Sequence, residues 1–194
     1  MNGYEKRRQR TRRKIREAAT RLFARTGYHD SSISGIAREA GTSPATIYNH
    51  FNSKESLLES VVRETLDERW QTFLAMHQSG LSFRQKMEAL ISEKIAQEHP
   101  DSDLLRIIPL DVPAVQTILE EYYQQKTIPM FREMVRQGKT EGTLNPDLSE
   151  DAVLFYLELF RRSQSHPDFL APANTELRKG LVHLFFYGLL GQKK

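Results

Sequence analysis

Helix stops and starts crowd so closely between residues 32 and 54 that only two very short helices fit there. Ser32 is a good N-cap, because its hydroxyl can accept from the free N–H groups of a first turn, and Gly41 is a good terminator. Ser43 is a second N-cap, with Pro44 at the first helical position, where a missing N–H costs nothing. Asn52 or Ser53 then opens a third helix. The spacing therefore predicts a helix over 33–40, a turn Gly41-Thr42-Ser43, and a second short helix from Pro44. Helices this short are marginal in water and must lie on longer neighbours. Two are at hand. Residues 11–26 carry Ile15, Ala18, Ala19, Leu22 and Phe23 on one stripe and stop at Gly27, and the helix that follows residue 53 carries Leu58, Val62, Leu66, Trp70 and Phe73.

The rest of the chain reads as helix too, with no sustained period-2 alternation bounded by hairpin turns. Helical segments are expected at 83–98, briefly near 103–108, and at 114–137, 149–163 and 174–190. Gly80, Pro100, Pro109, Pro113, Gly138, Gly142, Pro146, Pro167 and Pro172 stand between them as breakers, and Pro129 predicts a kink inside 114–137. The expected class is all-α: a three-helix head with a helix-turn-helix, a linking fourth helix, and a C-terminal helical domain. The head with its N-terminal arm is assigned to residues 1–56 and the remainder to 57–194.

Charge is distributed unevenly. The net charge of +3 arises because residues 1–60 hold 12 Lys/Arg against 6 Asp/Glu, whereas the remainder holds 16 against 19. A basic third on a mildly acidic body is the footprint of a polyanion binder; a solvated charged arm is the alternative. With 39% hydrophobic and 27% charged residues the composition is that of an ordinary soluble protein, expected in the cytoplasm. The absence of Cys excludes disulfides and thiolate-ligated metals. No leader-type apolar segment follows the basic start, and no membrane span is expected, since the greasiest run, 181–190, is broken by His183 and Gly188.

The second short helix has a composition that a core helix would not have. Ile47 and Phe51, one turn apart, can anchor it, which leaves Thr46, Asn49 and His50, with Ala45 near the start, pointing away. A recognition helix needs this arrangement: Asn and His offer donors and acceptors to base edges in the major groove, and small residues can meet thymine methyls. Tyr48 and Lys54 sit at the margins, where a hydroxyl and an ammonium suit phosphates, and the helix starts at Ser32 and Ser43 add N–H groups for the same purpose. The alternative is a set of exposed polar positions on a small helical bundle.

The stretch from "LFARTGY" through "SSISGIAREAG" to "TIYNHFNSKESL" resembles the TetR family of bacterial transcriptional regulators over roughly residues 11–62. The resemblance implies a DNA-binding head, a fourth helix leading to a helical regulatory domain, and two C-terminal helices that dimerise. It implies a repressor released from duplex operator DNA by a small-molecule effector; the alternative is a DNA-binding dimer without an effector, a constitutive or architectural factor. Carried over by position, it implies helix-three contacts from Ser43, Pro44, Ala45, Thr46, Tyr48, Asn49 and His50, and phosphate contacts from Ser32, Thr42, Tyr48 and Lys54. Pro44-Ala45 stands where many relatives carry Lys-Gly, which removes a charged contact.

Enzymatic chemistry finds no support. The histidines at 29, 50, 77, 99, 166 and 183 form no HExxH or other metal spacing, Asp101, Asp103 and Asp111 lack the framework of a calcium loop, and no GxSxG, P-loop or GxGxxG occurs. No catalytic residue, metal or cofactor is expected. Trp70, His77, Met87, Ile91, Arg106, Tyr122 and Met130 are candidates to line an effector pocket, with bundle core as the alternative. Val153, Tyr156, Phe160, Leu177, Leu181, Leu184, Phe185 and Leu189 lie on helices apolar on more than one face, which predicts a homodimer built on 149–163 and 174–190.

Overall fold

The computed structural model describes residues 3–96, 108–163, 174, 176–177, 179–181 and 183–184, and for 91–96, 157 and 160–163 it describes the backbone only. Arg106, Phe185 and Leu189 lie outside the described residues, as do the side chains of Ile91 and Phe160 and nearly all of the short helix expected at 103–108. Helices and turns make up the described residues, with no strand among them. The chain divides into two compact units: 1–70 with 101–120, and 71–100 with 121–194.

The first unit is built on α1 (Gly3–Thr26), α2 (Ile33–Ala40), α3 (Pro44–Phe51) and the first part of α4 (Lys54–Gln78). Their apolar stripes meet in one core: Ile15, Ala18, Ala19 and Phe23 of α1, Ile36 and Ala37 of α2, Ile47 and Phe51 of α3, and Leu57, Leu58, Val61 and Val62 of α4 are all buried. The caps act as their residue types dictate. Ser32 Oγ accepts from Gly35 N at 3.0 Å, Ser43 Oγ from Thr46 N at 3.1 Å, and Ser53 Oγ from Ser56 N at 2.9 Å. Gly41 closes α2 at φ 64, with its N–H turned back to the Ala37 and Arg38 carbonyls. Arg16 of α1 grips Glu64 of α4 with two hydrogen bonds, 2.8 and 2.6 Å, a fork-to-fork pair that fixes one helix on the other. Arg21 and Arg25 share Glu39 of α2 at 3.0 and 2.9 Å, and these guanidiniums, Arg25 first, hold the Glu39 carboxyl below the usual carboxylate range.

Two features differ from expectation. Helix α1 starts at Gly3, so the basic arm is the first two turns of a helix and no loose tail. Between α3 and α4 the chain makes a γ-turn: Asn52 sits at φ 60, ψ −41, and Ser53 N donates back to Phe51 O at 2.6 Å. Residues of this backbone conformation are uncommon outside Gly, Asn and Asp, and the turn lets α4 leave at once after α3 ends.

The second unit contains the end of α4, then α5 (Phe83–Ala96), the last residues of α6 (Pro113–Tyr122), α7 (Ile128–Thr140) and α8 (Glu150–Ser163). The kink expected at Pro129 takes a specific form. Residues Tyr123–Thr127 wind as a π-helical turn before α7, so the proline, which has no N–H to give and crowds the preceding turn, falls at the start of a fresh helix. Gly138, expected as a breaker, instead lies buried within α7, and the turn comes four residues later at Gly142, φ 67. Its task is close approach: a Cβ there would come within 2.9 Å of both Leu144 and Phe83. Gly138→Val should therefore lower unfolding stability by about 1–3 kcal/mol through overpacking, read as a denaturation midpoint, whereas an unaffected midpoint would mean that α5 and the 144 loop give way freely.

Polar side chains tie the turn after α4 to this packing. Lys86, buried on α5, donates to the His77 carbonyl at 2.6 Å and to Gln137 Oε1 at 2.8 Å. The ammonium thus sits at the C-terminal end of α4, where the helix dipole favours positive charge. Glu141 accepts from the first N–H of α5, Phe83, at 2.8 Å, and His77 Nε2 meets Glu133 at 2.9 Å. Arg132 and Arg136 of α7 hold Glu150 at the start of α8, at 3.3 and 3.0 Å.

Candidate nucleic-acid interface

Helix α3 presents one face to solvent. Pro44, Ala45, Tyr48 and Asn49 are exposed, Tyr48 by 49%, and their spacing of one, four and five residues puts them side by side. Ile47 and Phe51 anchor the opposite face, as expected. Thr46 and His50 lie between the two, half-buried, and each is engaged locally. The Thr46 hydroxyl is 2.9 Å from the capping hydroxyl of Ser43. The His50 carbonyl accepts from Arg12 Nη1 at 3.2 Å, while the Arg12 guanidinium lies 4.5 Å from the Phe51 ring centroid.

The expected phosphate ligands flank this face in unequal condition. Ser32 and Ser43 are exposed and use their hydroxyls in capping, and Thr42 is half-buried in the turn. Lys54 is folded back. Its Nζ stands 4.3 Å from the centre of the Tyr28 ring and donates to the His29 carbonyl at 3.3 Å, and burial pulls its pKa below the ordinary lysine range although Asp30 opposes that shift. Tyr28 in turn stacks edge-on against Phe23, and burial, helped by the Glu55 charge, raises its hydroxyl pKa. The loop after α1 and the start of α4 are thereby fastened together. No sequence signal could have shown Lys54 committing its ammonium to an aromatic ring, because residues 28 and 54 have no periodic relation.

Charge on α1 is sorted by position. Arg13, Arg16, Arg21 and Arg25 are paired with Glu17, Glu64 and Glu39. Lys6, Arg7, Arg8, Arg10, Arg12 and Lys14 have no carboxylate within ion-pair distance among the described residues. The unneutralised cations thus occupy the end of α1 that leads to Arg12 and the last turn of α3. A short helix with an uncommitted polar face, flanked by unpaired cations, can lie in a major groove while the cations displace counterions from phosphates.

Residues 15–61 match the family model described as bacterial regulatory proteins, tetR family. That segment runs from the first buried residue of α1 through α3 into α4, which is the head just described. Over this segment the chain is similar to the TetR family. A relative, the HTH-type transcriptional repressor KstR2 of Rhodococcus jostii, is 25% identical over 150 residues, 75% of this chain and 74% of its own. Another, the HTH-type transcriptional regulator UidR of Escherichia coli, is 26% identical over 153 residues, 77% of this chain and 76% of its own. In fold the chain is similar to a transcriptional regulator from Saccharomonospora viridis solved in complex with choline, at a TM-score of 0.74 and 22% identity, covering 95% of this chain and 100% of that one. This protein is a helix-turn-helix, DNA-binding transcriptional regulator.

The other candidate residues lie at the end of the first unit and in the second. Trp70 is half-buried at the end of the first unit. In the second unit His77 and Tyr122 are half-buried, and Met87 and Met130 are buried. On α8 Val153 is buried and Tyr156 half-buried, whereas Phe155 and Leu159, one turn apart, are exposed by 65% and 50%. Leu177 and Leu184 are exposed by 46% and 64%, with Leu181 half-buried between them. Sequence reasoning does not single out Phe155 and Leu159. On a helix apolar all round, periodicity assigns residues to stripes and leaves open which stripe the chain itself covers. Among the described residues no helix is long and apolar enough to cross a membrane, and no three His, Asp or Glu side chains gather as a metal site.

Proposed function

We propose that this regulator is a homodimeric repressor in the bacterial cytoplasm that reads a two-part operator in duplex DNA and is released by a small-molecule effector. It acts by binding, with no catalytic step. The observation that carries the proposal is the exposed face of α3, Pro44, Ala45, Tyr48 and Asn49, standing beside cations that no carboxylate neutralises among the described residues. Residues 1–56 form the DNA-binding domain, in which Asn49, with Ala45 and Pro44, reads base edges, and Tyr48, Thr42, Ser32 and Ser43 meet phosphates through hydroxyl or backbone N–H groups. Thr46 and Lys54 support that face from its margins, Lys54 through its bond to the loop after α1.

Residues 57–194 carry regulation and dimerisation. His77, Met87, Tyr122 and Met130 of the second unit are the described candidates for an effector site, supported by the choline-bound neighbour of the same fold. The exposed apolar stripes at Phe155 and Leu159 and at Leu177 and Leu184 support a partner copy at α8 and the last helix, since contiguous apolar surface of this kind is costly to leave in water.

Selection of bound duplexes from random sequence tests the proposal directly. It should return two half-sites whose centres lie about one DNA turn apart or more. Asn49→Ala should relax preference at one or two base pairs, each by about 1–3 kcal/mol. Wild-type discrimination in that variant would remove Asn49 from base readout, and recovery of no motif at all would sink the proposal.

A further inference from the structure

His50 occupies the last turn of α3 with its two ring nitrogens in unlike surroundings. Nδ1 is sealed from solvent and has no hydrogen-bond partner. Nε2 has no partner among the described residues either, but it is open to solvent. From α1, Arg12 reaches the residue's carbonyl at 3.2 Å, and Arg8, one turn earlier, adds a second positive charge on that side. From α2 and α4 no charged group of the described residues acts on it.

A neutral imidazole carries its proton on one nitrogen only, and the other keeps a lone pair. A proton on Nδ1 would bury an N–H with no acceptor, which is less favourable than a lone pair without a donor. Protonating both nitrogens would bury the same N–H and also set a cation beside two guanidiniums. A bare Nδ1, by contrast, buries only a lone pair and leaves the ring without charge beside the two guanidiniums. We infer that His50 is held as the neutral Nε2–H tautomer and meets DNA only as a hydrogen-bond donor, so that its target is an acceptor atom, either a phosphate oxygen or purine N7 or guanine O6 at a base edge. In line with this geometry, burial first and then Arg8 and Arg12 pull the imidazole pKa below its ordinary value. A fixed donor cannot accept from the amino groups of adenine or cytosine, so His50 contributes nothing at those edges. Its role toward DNA rests on the proposed function; the tautomer does not.

Two measurements separate them. In the full-length protein labelled with nitrogen-15, imidazole correlations of the neutral form should show a protonated Nε2 and a bare Nδ1, with that form in excess at the ordinary pKa of about 6.5. A neutral form protonated on Nδ1, an averaged pair or an excess of the charged ring at that pH overturns the inference, whatever DNA does. For binding, the probes are a short mixed-sequence duplex and the operator recovered by selection. Glutamine sets an amide N–H close to the position of imidazole Nε2, whereas asparagine sets one near Nδ1. His50→Gln should keep operator affinity within about threefold, and His50→Asn should weaken it about tenfold per half-site. A weakening that is equal on the mixed duplex puts the acceptor on phosphate, and one confined to a single operator base pair puts it on a base; either supports the donor role. Equal weakening in the two variants, or none in either, refutes it. If the wild-type chain binds neither duplex, the DNA-binding proposal fails, and the nitrogen spectrum still decides the tautomer.

Discussion

Aspartate at both Phe155 and Leu159 should leave the protein folded but monomeric, and should lower its operator affinity by about 10²–10⁴. Both side chains stand on the outer face of α8, exposed by 65% and 50%, so the change removes little packing within the chain. Two carboxylates on that face would have to shed water against an apolar partner surface, and nothing in such a surface replaces the hydration. The effect on DNA follows from geometry. One recognition helix reads few base pairs, and the second half-site is bound almost as an intramolecular step once the first is held. Light scattering gives the mass, operator titration gives the affinity, and far-ultraviolet dichroism checks that the helices persist. A folded double variant that remains dimeric would move the interface to another surface.

Alanine at Lys6, Arg7, Arg8 and Arg10 together should flatten the fall of log K with log salt by as much as about 3–4 units, near 0.9 for each phosphate left unneutralised. These four cations are exposed on α1 and no carboxylate among the described residues answers them. Alanine keeps the helix, being its best former, so the variant removes charge without removing structure. Sequence preference should survive, since phosphate contacts carry no code. The matched control is alanine at Arg21 and Arg25, which already share Glu39 and release no counterions to DNA. An unchanged slope in the four-site variant would show that the start of α1 stays off the duplex.

Much of the head is legible in the sequence because its signals are local. Ser32, Gly41, Ser43 and Pro44 set the ends of α2 and the start of α3 with no reference to the rest of the fold, and the structure keeps those bounds. Local signals do not supply the use that a distant neighbour makes of a residue. Gly138 reads as a helix breaker in isolation, yet it is small because Phe83 and Leu144 lie against it. The arm reads as a tail from its charge, yet it continues α1 because nothing in residues 3–10 after the first glycine disfavours helix. At the candidate interface the stripe pattern separates Ile47 and Phe51 from the outward residues. It does not tell that Thr46 and His50 stand half-buried at the edge of that face while Pro44, Ala45, Tyr48 and Asn49 occupy its centre.

The γ-turn at Asn52 bears on how a genetic screen of this regulator should be interpreted. A residue at φ 60 with a β-branched side chain is strained by about 1–3 kcal/mol, and that strain falls on the joint between α3 and α4. Alleles such as Asn52→Val or Asn52→Ile would therefore be recovered as non-binders, clustered on the linear map with those at Tyr48 and Asn49. A map drawn from phenotype alone would count residue 52 as part of the DNA surface. Glycine at the same position separates the two meanings, because it discards the side chain and keeps the bend: an allele that binds normally with glycine and fails with valine marks the backbone.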